Sequence, residues 1–322
     1  MKRIAFALAL GLCAAGPAFA QTTPPLPLVG VLRINTVATN EPFAEMLRQA
    51  LVAVGDVDGR NLRLDFRLAD GDATRFPELA VALVQDKPTV IVAFGPAAVR
   101  AAQRATRAIP IVAAASDLIA FGSIASLAKP GGNITGVSLM ITELDAKRLE
   151  VLKEIVPSGR RFGLLIDPAI SGPDGLQAIA DTARALGVEF QTVEVRSPTD
   201  FAPALEALRA GGAEGVNVLG SPLLFGLREE LGSLLLKEKL PAVCEWREMA
   251  VSGCLASYGT TVHELYGMVA ALIDKILKGA SPADTPAQQP TRFELVINQK
   301  VARAIGIEIP QAILGRADEI IE

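Results

Sequence analysis

Short apolar runs alternate with segments of helical periodicity along most of the chain, and that alternation predicts the fold class. Residues 28–34 form an apolar run, after which Phe43, Met46, Leu47, Ala50, Leu51 and Val54 fall on one face of a helix that Gly55 ends. Leu62, Leu64, Phe66 and Leu68 alternate with charged residues as in a half-buried strand; a helix over 76–86 and a buried strand over 89–94 follow. Strands over 110–115 and 133–138 flank a stretch of helical character, 119–127, which Pro130-Gly131-Gly132 terminates. A second series places strands at 161–166, 189–195, 215–219, 241–244 and 254–258, with helices between most of them. A last long helix, 262–278, carries Val262, Leu265, Val269, Leu272, Ile273 and Ile276 on one face and stops at Gly279, before a proline-rich stretch at 281–290.

Strand and helix alternating at this spacing imply right-handed crossovers and parallel sheets covered on both faces. The expected architecture is α/β, with two Rossmann-like lobes. One lobe takes residues 28–138 plus about 260–290, and the other takes 139–259 plus about 291–322. The chain is expected to cross between them near 138–143, near Thr260 and in the proline-rich stretch.

The N-terminus adds a location. Lys2 and Arg3 precede an apolar run from Ile4 to Ala15 and the triplet Ala18-Phe19-Ala20, the pattern of a secretory signal peptide over residues 1–20, cleaved before Gln21. Its apolar stretch is short for a bilayer core of about 30 Å. Cys13 follows Leu12 rather than the small residue that a lipid-anchoring signal requires, which disfavours an anchor. No later segment has the unbroken apolar length of a spanning helix, so the mature chain is expected to be soluble in the periplasm. Loss of Lys2 and Arg3 with the leader moves the net charge from −4 to −6, which argues against nucleic acid as a partner. Cys244 and Cys254 remain in a compartment that permits disulfides; their spacing leaves a bond between them open, because geometry decides it.

In parallel α/β sheets small molecules bind beyond the carboxyl ends of strands, where backbone N–H groups at helix starts are free. Phe94-Gly95-Pro96-Ala97-Ala98 is the best candidate: Gly95 permits close approach of the backbone, Pro96 suits a first helical turn, and the N–H groups of Ala97 and Ala98 favour a carboxylate. The same sequence also serves as an ordinary strand-to-helix turn. Other strand ends supply Asn35, Thr36, Ser116, Asp117, Ser138, Asp167, Gly220, Ser221 and Glu245. Asp117, Asp167 and Glu245 are candidate carboxylate partners for an ammonium group, and Asp117 or Asp167 is expected to hold it, although capping and turn roles suit both. Among the scarce aromatic residues, Trp246 and Tyr258 are expected to wall a side-chain pocket, and Phe225 to pack in the core.

Catalytic chemistry is weakly supported. His263 is the single histidine, and it cannot build a metal site with thiols so spaced. No nucleophile elbow, phosphate loop or dinucleotide fingerprint is present. No enzyme activity, cofactor or metal is therefore expected.

Several motifs in order resemble one family. They are Pro130-Gly131-Gly132-Asn133-Ile134-Thr135-Gly136-Val137-Ser138, Lys147-Arg148-Leu149-Glu150-Val151-Leu152-Lys153-Glu154, Ala256-Ser257-Tyr258-Gly259, Asp274-Lys275-Ile276-Leu277-Lys278-Gly279-Ala280, Pro290-Thr291-Arg292-Phe293-Glu294-Leu295-Val296-Ile297-Asn298 and Arg316-Ala317-Asp318-Glu319-Ile320-Ile321-Glu322. From about Val29 to the C-terminus the chain resembles the bacterial ABC-importer solute receptors of the tryptophan/tyrosine type. The resemblance implies the periplasmic binding protein type I fold, with three interlobe crossings, a small carboxylate-bearing solute such as an amino acid or aromatic acid, the importer's membrane subunits as partners, and a monomer. A periplasmic ligand sensor for a signalling receptor is the alternative. Gly95-Pro96-Ala97-Ala98 is one residue shorter than the corresponding family turn and lacks its hydroxyl. Ser116-Asp117-Leu118 keeps an acid but not the following proline, and Asp167-Pro168 brings an added negative charge.

Overall fold

The computed structural model describes residues 25–322. The leader, Cys13 and the cleavage point before Gln21 lie outside the described residues. β1 (Leu28–Arg33), α1 (Val37–Ala53), β2 (Arg63–Leu68), α2 (Phe76–Gln85), β3 (Val90–Phe94), α3 (Pro96–Ala105), β4 (Ile111–Ala115) and β5 (Ile134–Ser138) follow one another. Their strands form a five-stranded parallel sheet in the order β2-β1-β3-β4-β5. β1 and β4 are buried along their whole length, as a sheet covered on both faces requires. β2 lies at the edge and is only half-buried; there Arg67 bonds Asp65 at 2.7 Å and Asp86 at 2.6 Å, charges suited to an unpaired edge.

The second series comprises α4 (Ile141–Ile155), β6 (Arg161–Ile166), α5 (Pro173–Leu186), β7 (Glu189–Glu194), α6 (Phe201–Ala210), β8 (Val216–Val218), α7 (Pro222–Gly226), α8 (Arg228–Glu238), β9 (Ala242–Cys244), α9 (Arg247–Ser252) and β10 (Ala256–Gly259). The chain then forms α10 (Val262–Leu277), β11 (Glu294–Asn298), α11 (Gln299–Ile305), α12 (Gln311–Leu314) and β12 (Glu319–Ile321). Seven strands form the second sheet in the order β12-β11-β10-β9-β8-β6-β7. α10 belongs with the first sheet, packing on α1 and on β3, β4 and β5.

The chain thus passes between the sheets three times: from β5 to α4, from β10 to α10, and from the proline-rich stretch to β11. At the first passage Met140 adopts a left-handed backbone conformation, φ 54°, uncommon for a residue with a side chain. Before the last passage Gln288 pairs with β5, accepting from Ser138 N at 2.8 Å and donating to Gly136 O at 2.8 Å, which covers that sheet edge.

Two expectations are corrected. The second sheet is not wholly parallel, because β11 runs antiparallel to β10, with Gly259 opposite Glu294. The chain leaves β10 at the end facing the other lobe and returns at that same end, so β11 must run back the other way. The stretch 119–127 is not helical. Asp117 Oδ1 accepts from Ile119 N at 2.9 Å and Ala120 N at 3.0 Å, forming a single turn that Gly122, at φ 65°, ends.

Cys244 and Cys254 form a disulfide that joins the end of β9 to the start of β10 around α9. One cluster of buried apolar side chains runs across the junction of the lobes and includes Phe43 and Leu139 together with Phe225 and Trp246. Phe225 packs in this core, 5.2 Å from Phe43 and 4.5 Å from Trp246 between ring centroids. Among the described residues no helix is long and apolar enough to cross a membrane.

Candidate ligand-binding site

The carboxyl ends of the parallel strands in both sheets face one another across the junction, enclosing a cavity of about 60 Å³. The first lobe lines it with Arg33, Phe43, Phe94, Gly95, Pro96, Ala114, Ala115 and Ser116, and α10 adds Val262, Leu265 and Tyr266. From the other side come Leu139, Ile141, Ile170, Ser221, Pro222, Glu245 and Trp246. Gly95 turns β3 into α3 at φ 88°, a conformation that strains any other residue, and α3 starts at Pro96 with no side-chain cap. An open groove of about 770 Å³ lies alongside, lined by Asn35, Thr36, Asp72, Asp167, Arg196 and their neighbours. A depression of about 610 Å³ between α6 and α8 is on the outer flank and holds no strand-end residue.

Arg33 ends β1 and is 4% exposed. Its guanidinium is sandwiched between rings, 4.3 Å from the centroid of Phe43 and 4.4 Å from that of Phe94. Such contacts hold a cation without neutralising it. Nε donates to Asn35 Oδ1 at 3.2 Å and Nη1 to Tyr266 Oη at 2.6 Å; both acceptors are neutral. Burial raises the Tyr266 hydroxyl pKa above its ordinary value although Arg33 opposes this, so the phenol stays protonated. Among the described residues no carboxylate pairs with Arg33.

Across the cavity, Glu245 follows β9 and is 4% exposed. Burial pushes its carboxyl up to about 7; Arg148 opposes that shift and Asp145 adds to it. Arg148 is fully buried and paired with Asp145, and its Nη1 donates to Tyr258 O at 2.9 Å. Asp145 also accepts from Gly220 N at 3.2 Å, and burial raises its pKa despite Arg148 beside it. Gly220 makes room for Glu245, since a Cβ there would lie 2.6 Å from Glu245 Oε2.

Of the residues singled out from the sequence, Phe94, Gly95, Pro96, Ser116, Ser221, Glu245 and Trp246 line the cavity. Trp246 is 8% exposed, and its Nε1 is buried without a partner. Asn35, Thr36 and Asp167 line the outer groove instead. Asp167 accepts from Ser221 Oγ at 2.6 Å and Ala169 N at 2.9 Å, and Ser221 Oγ in turn caps α7. Asp117 holds its turn, and Ser138 Oγ accepts from Leu118 N at 3.3 Å. Ala98 is buried in the first lobe's core beside Ala97, Gly220 sits behind Glu245, and Tyr258 packs on Phe293 at 6.2 Å between centroids. His263 is exposed on α10, and among the described residues no cluster of metal-ligating side chains is present.

Arg33 and Tyr266 were not singled out from the sequence. Arg33 hides at the end of an apolar run, and the one available signal was a charge inside a strand buried on both faces. Tyr266 lies on the buried side of α10, where helical spacing alone reads it as core.

Two hinged α/β lobes with an aromatic-walled cavity between their strand ends define a solute receptor of the periplasmic binding protein type I fold. The sequence profile of the family described as ABC transporter substrate binding protein matches residues 40–321, and the chain belongs to that family. A tyrosine-binding protein of Clostridioides difficile (strain R20291) is 26% identical over 262 residues, covering 81% of this chain and 75% of that protein. A conserved domain protein of Vibrio cholerae superposes with TM-score 0.82 at 25% identity, covering 92% of this chain and 100% of that one. The ABC domain from Streptococcus pneumonia in complex with L-Trp gives 0.80 at 24% identity, with coverages of 92% and 100%. The ligand-free, open structure of a Clostridium difficile substrate binding protein with adhesive properties gives 0.63 at 23%, with coverages of 92% and 99%. Proteins of this family bind solutes rather than transform them and are typically extracytoplasmic.

Proposed function

We propose that this chain is the periplasmic substrate-binding component of an ABC importer, a monomer that closes its lobes on one small carboxylate-bearing solute, an amino acid or aromatic acid. The observation that carries this is the cavity itself: both lobes wall it, and a buried cation faces into it. A receptor built this way reports occupancy by shape, because the importer's membrane subunits dock the closed form in preference to the open one. The relatives named for tyrosine and for an L-Trp complex support an amino acid as the first class to test. The disulfide suits an oxidising compartment reached through the leader at residues 1–20.

The test is a thermal-shift screen of protein starting at Gln21 and freed of carried-over ligand, against amino acids, aromatic acids and other small carboxylates. A solute at about 100 times its dissociation constant adds ~2.7 kcal/mol to stability, a clear rise in melting temperature. Stabilisation by one carboxylate class, with the compound recovered unchanged, supports the proposal. Stabilisation by neutral solutes alone overturns the carboxylate reading.

A further inference from the structure

We infer that Arg33 and Glu245 are the two poles of the binding site, and that they clasp a small zwitterionic α-amino acid, its carboxylate on Arg33 and its ammonium on Glu245. This deepens the proposed function and rests on it. Both groups lie in one cavity, on opposite lobes, and no ion pair joins them. Arg33 has no acid partner among the described residues, and Glu245, only partly offset by Arg148, is held half-protonated near pH 7; a ligand carrying the opposite charge at each end satisfies both on closure.

The first pole is prepared for a carboxylate. Nη2 of Arg33 has no acceptor among the described residues, while Nε and Nη1 are steered by Asn35 and Tyr266. Among the described residues Tyr266 Oη makes no second hydrogen bond, so its own proton is free to reach the same carboxylate. The second pole is prepared for an ammonium. Among the described residues Glu245 makes no hydrogen bond through its carboxylate, and the rest of the cavity lining is apolar apart from Arg33, Ser116, Ser221, Trp246 and Tyr266. Asp117 and Asp167 do not compete for the amine, one being spent in a turn and the other in holding Ser221.

Size sets the side chain. The slot between Phe43 and Phe94, where an aromatic ring would stack, is filled by the Arg33 guanidinium. The remaining 60 Å³ is less than half of the ~150 Å³ that accommodates one benzene ring. Alanine has as many non-hydrogen atoms as benzene, so any amino acid widens this space on binding; a glycine or alanine side chain widens it least, and a tyrosine or tryptophan ring, its slot already taken, widens it most.

The groups facing Glu245 fix the pH dependence. Arg148 and Asp145 lie behind it on α4, Arg33 stands across the cavity, and Tyr266 is the other titratable group in the lining. In the empty site Glu245 is half-protonated near pH 7, and an ammonium partner favours the ionised form. Binding of a zwitterion therefore releases a proton below about pH 7, and affinity falls as pH falls.

The experiment is calorimetric titration of ligand-free protein with glycine, L-alanine, propionate, L-alaninamide and L-tryptophan, from about pH 5.5 to about pH 8.5. Alanine is expected to bind, with propionate and alaninamide each at least about thirty-fold weaker. Glu245→Gln should remove the pH dependence and equalise alanine with propionate, and Arg33→Met should weaken alanine at least about thirty-fold. Propionate matching alanine in the unmodified protein overturns the role of Glu245, and tryptophan binding as tightly as alanine overturns the size argument. Either result leaves the carboxylate receptor standing. Binding of neutral solutes alone would remove that receptor reading and this inference together.

Discussion

Two arginines are buried at the junction of the lobes, and the protein holds them by opposite means. Arg148, in the second lobe, is fully buried and has a carboxylate partner in Asp145 and a carbonyl partner in Tyr258. Arg33, in the first lobe, is nearly as buried but is offered only two rings and two neutral oxygens. A buried charge is tolerated when it is paired, so the arginine supplied with an acid serves the fold. The arginine left without one has its acid still to come.

The largest expected effect falls on the paired side. Arg148→Met strands Asp145 and weakens the compensation of Glu245, which should lower stability by about 3–5 kcal/mol in urea unfolding at neutral pH. A loss under about 1 kcal/mol would show that Arg148 does not hold the acids, and the contrast would collapse.

Glu245 gives the next effect. Its folded value of about 7 lies above its ordinary 4.5, so the folded chain binds this proton more tightly than the unfolded chain does. Stability is therefore lost as pH rises from 4.5 to about 7, on the order of 3 kcal/mol in all, and the loss is complete above that. Glu245→Gln should flatten this part of the profile and make the ligand-free protein more stable at about pH 8. An unchanged slope would mean that Glu245 is not the buried acid responsible.

The second wall also carries a covalent brace that the first lacks, since Cys244 directly precedes Glu245 and Trp246. Replacing both cysteines by serine should cost about 2–3 kcal/mol and shift the melting curve accordingly. The smallest expected effect is that of Arg33→Met on the ligand-free protein, within about 1 kcal/mol of the parent, because methionine replaces a charge that no acid compensated. A loss of about 3 kcal/mol would make Arg33 a structural residue like Arg148 and erase the distinction between them.

Most of the fold was legible because its signals are local. Apolar runs and helical spacing placed the five strands of the first sheet, β6 to β10 of the second and α10, while β11 and β12 were not anticipated; Gly279 follows the end of α10 at φ 93°. The stretch 119–127 misled because its spacing is helical while Asp117 and Gly122 close a single turn. β11 lay beyond the strands that the spacing marked, and its reversal would be invisible to periodicity in any case, since spacing carries no strand direction.

The sequence by itself determined two α/β series, the passages between them, the Gly95-Pro96 turn and the family. Only the tertiary structure decided which strand ends meet. Arg33 and Tyr266 are 233 residues apart and touch because α10 returns to the first lobe, and Glu245 faces them because the strand ends of the two sheets meet at one cavity. Whether a charge has a partner depends on distances across the fold. Residue spacing governs contacts a few positions away, so the unpaired state of Arg33 and the raised pKa of Glu245 appear only once the chain is folded.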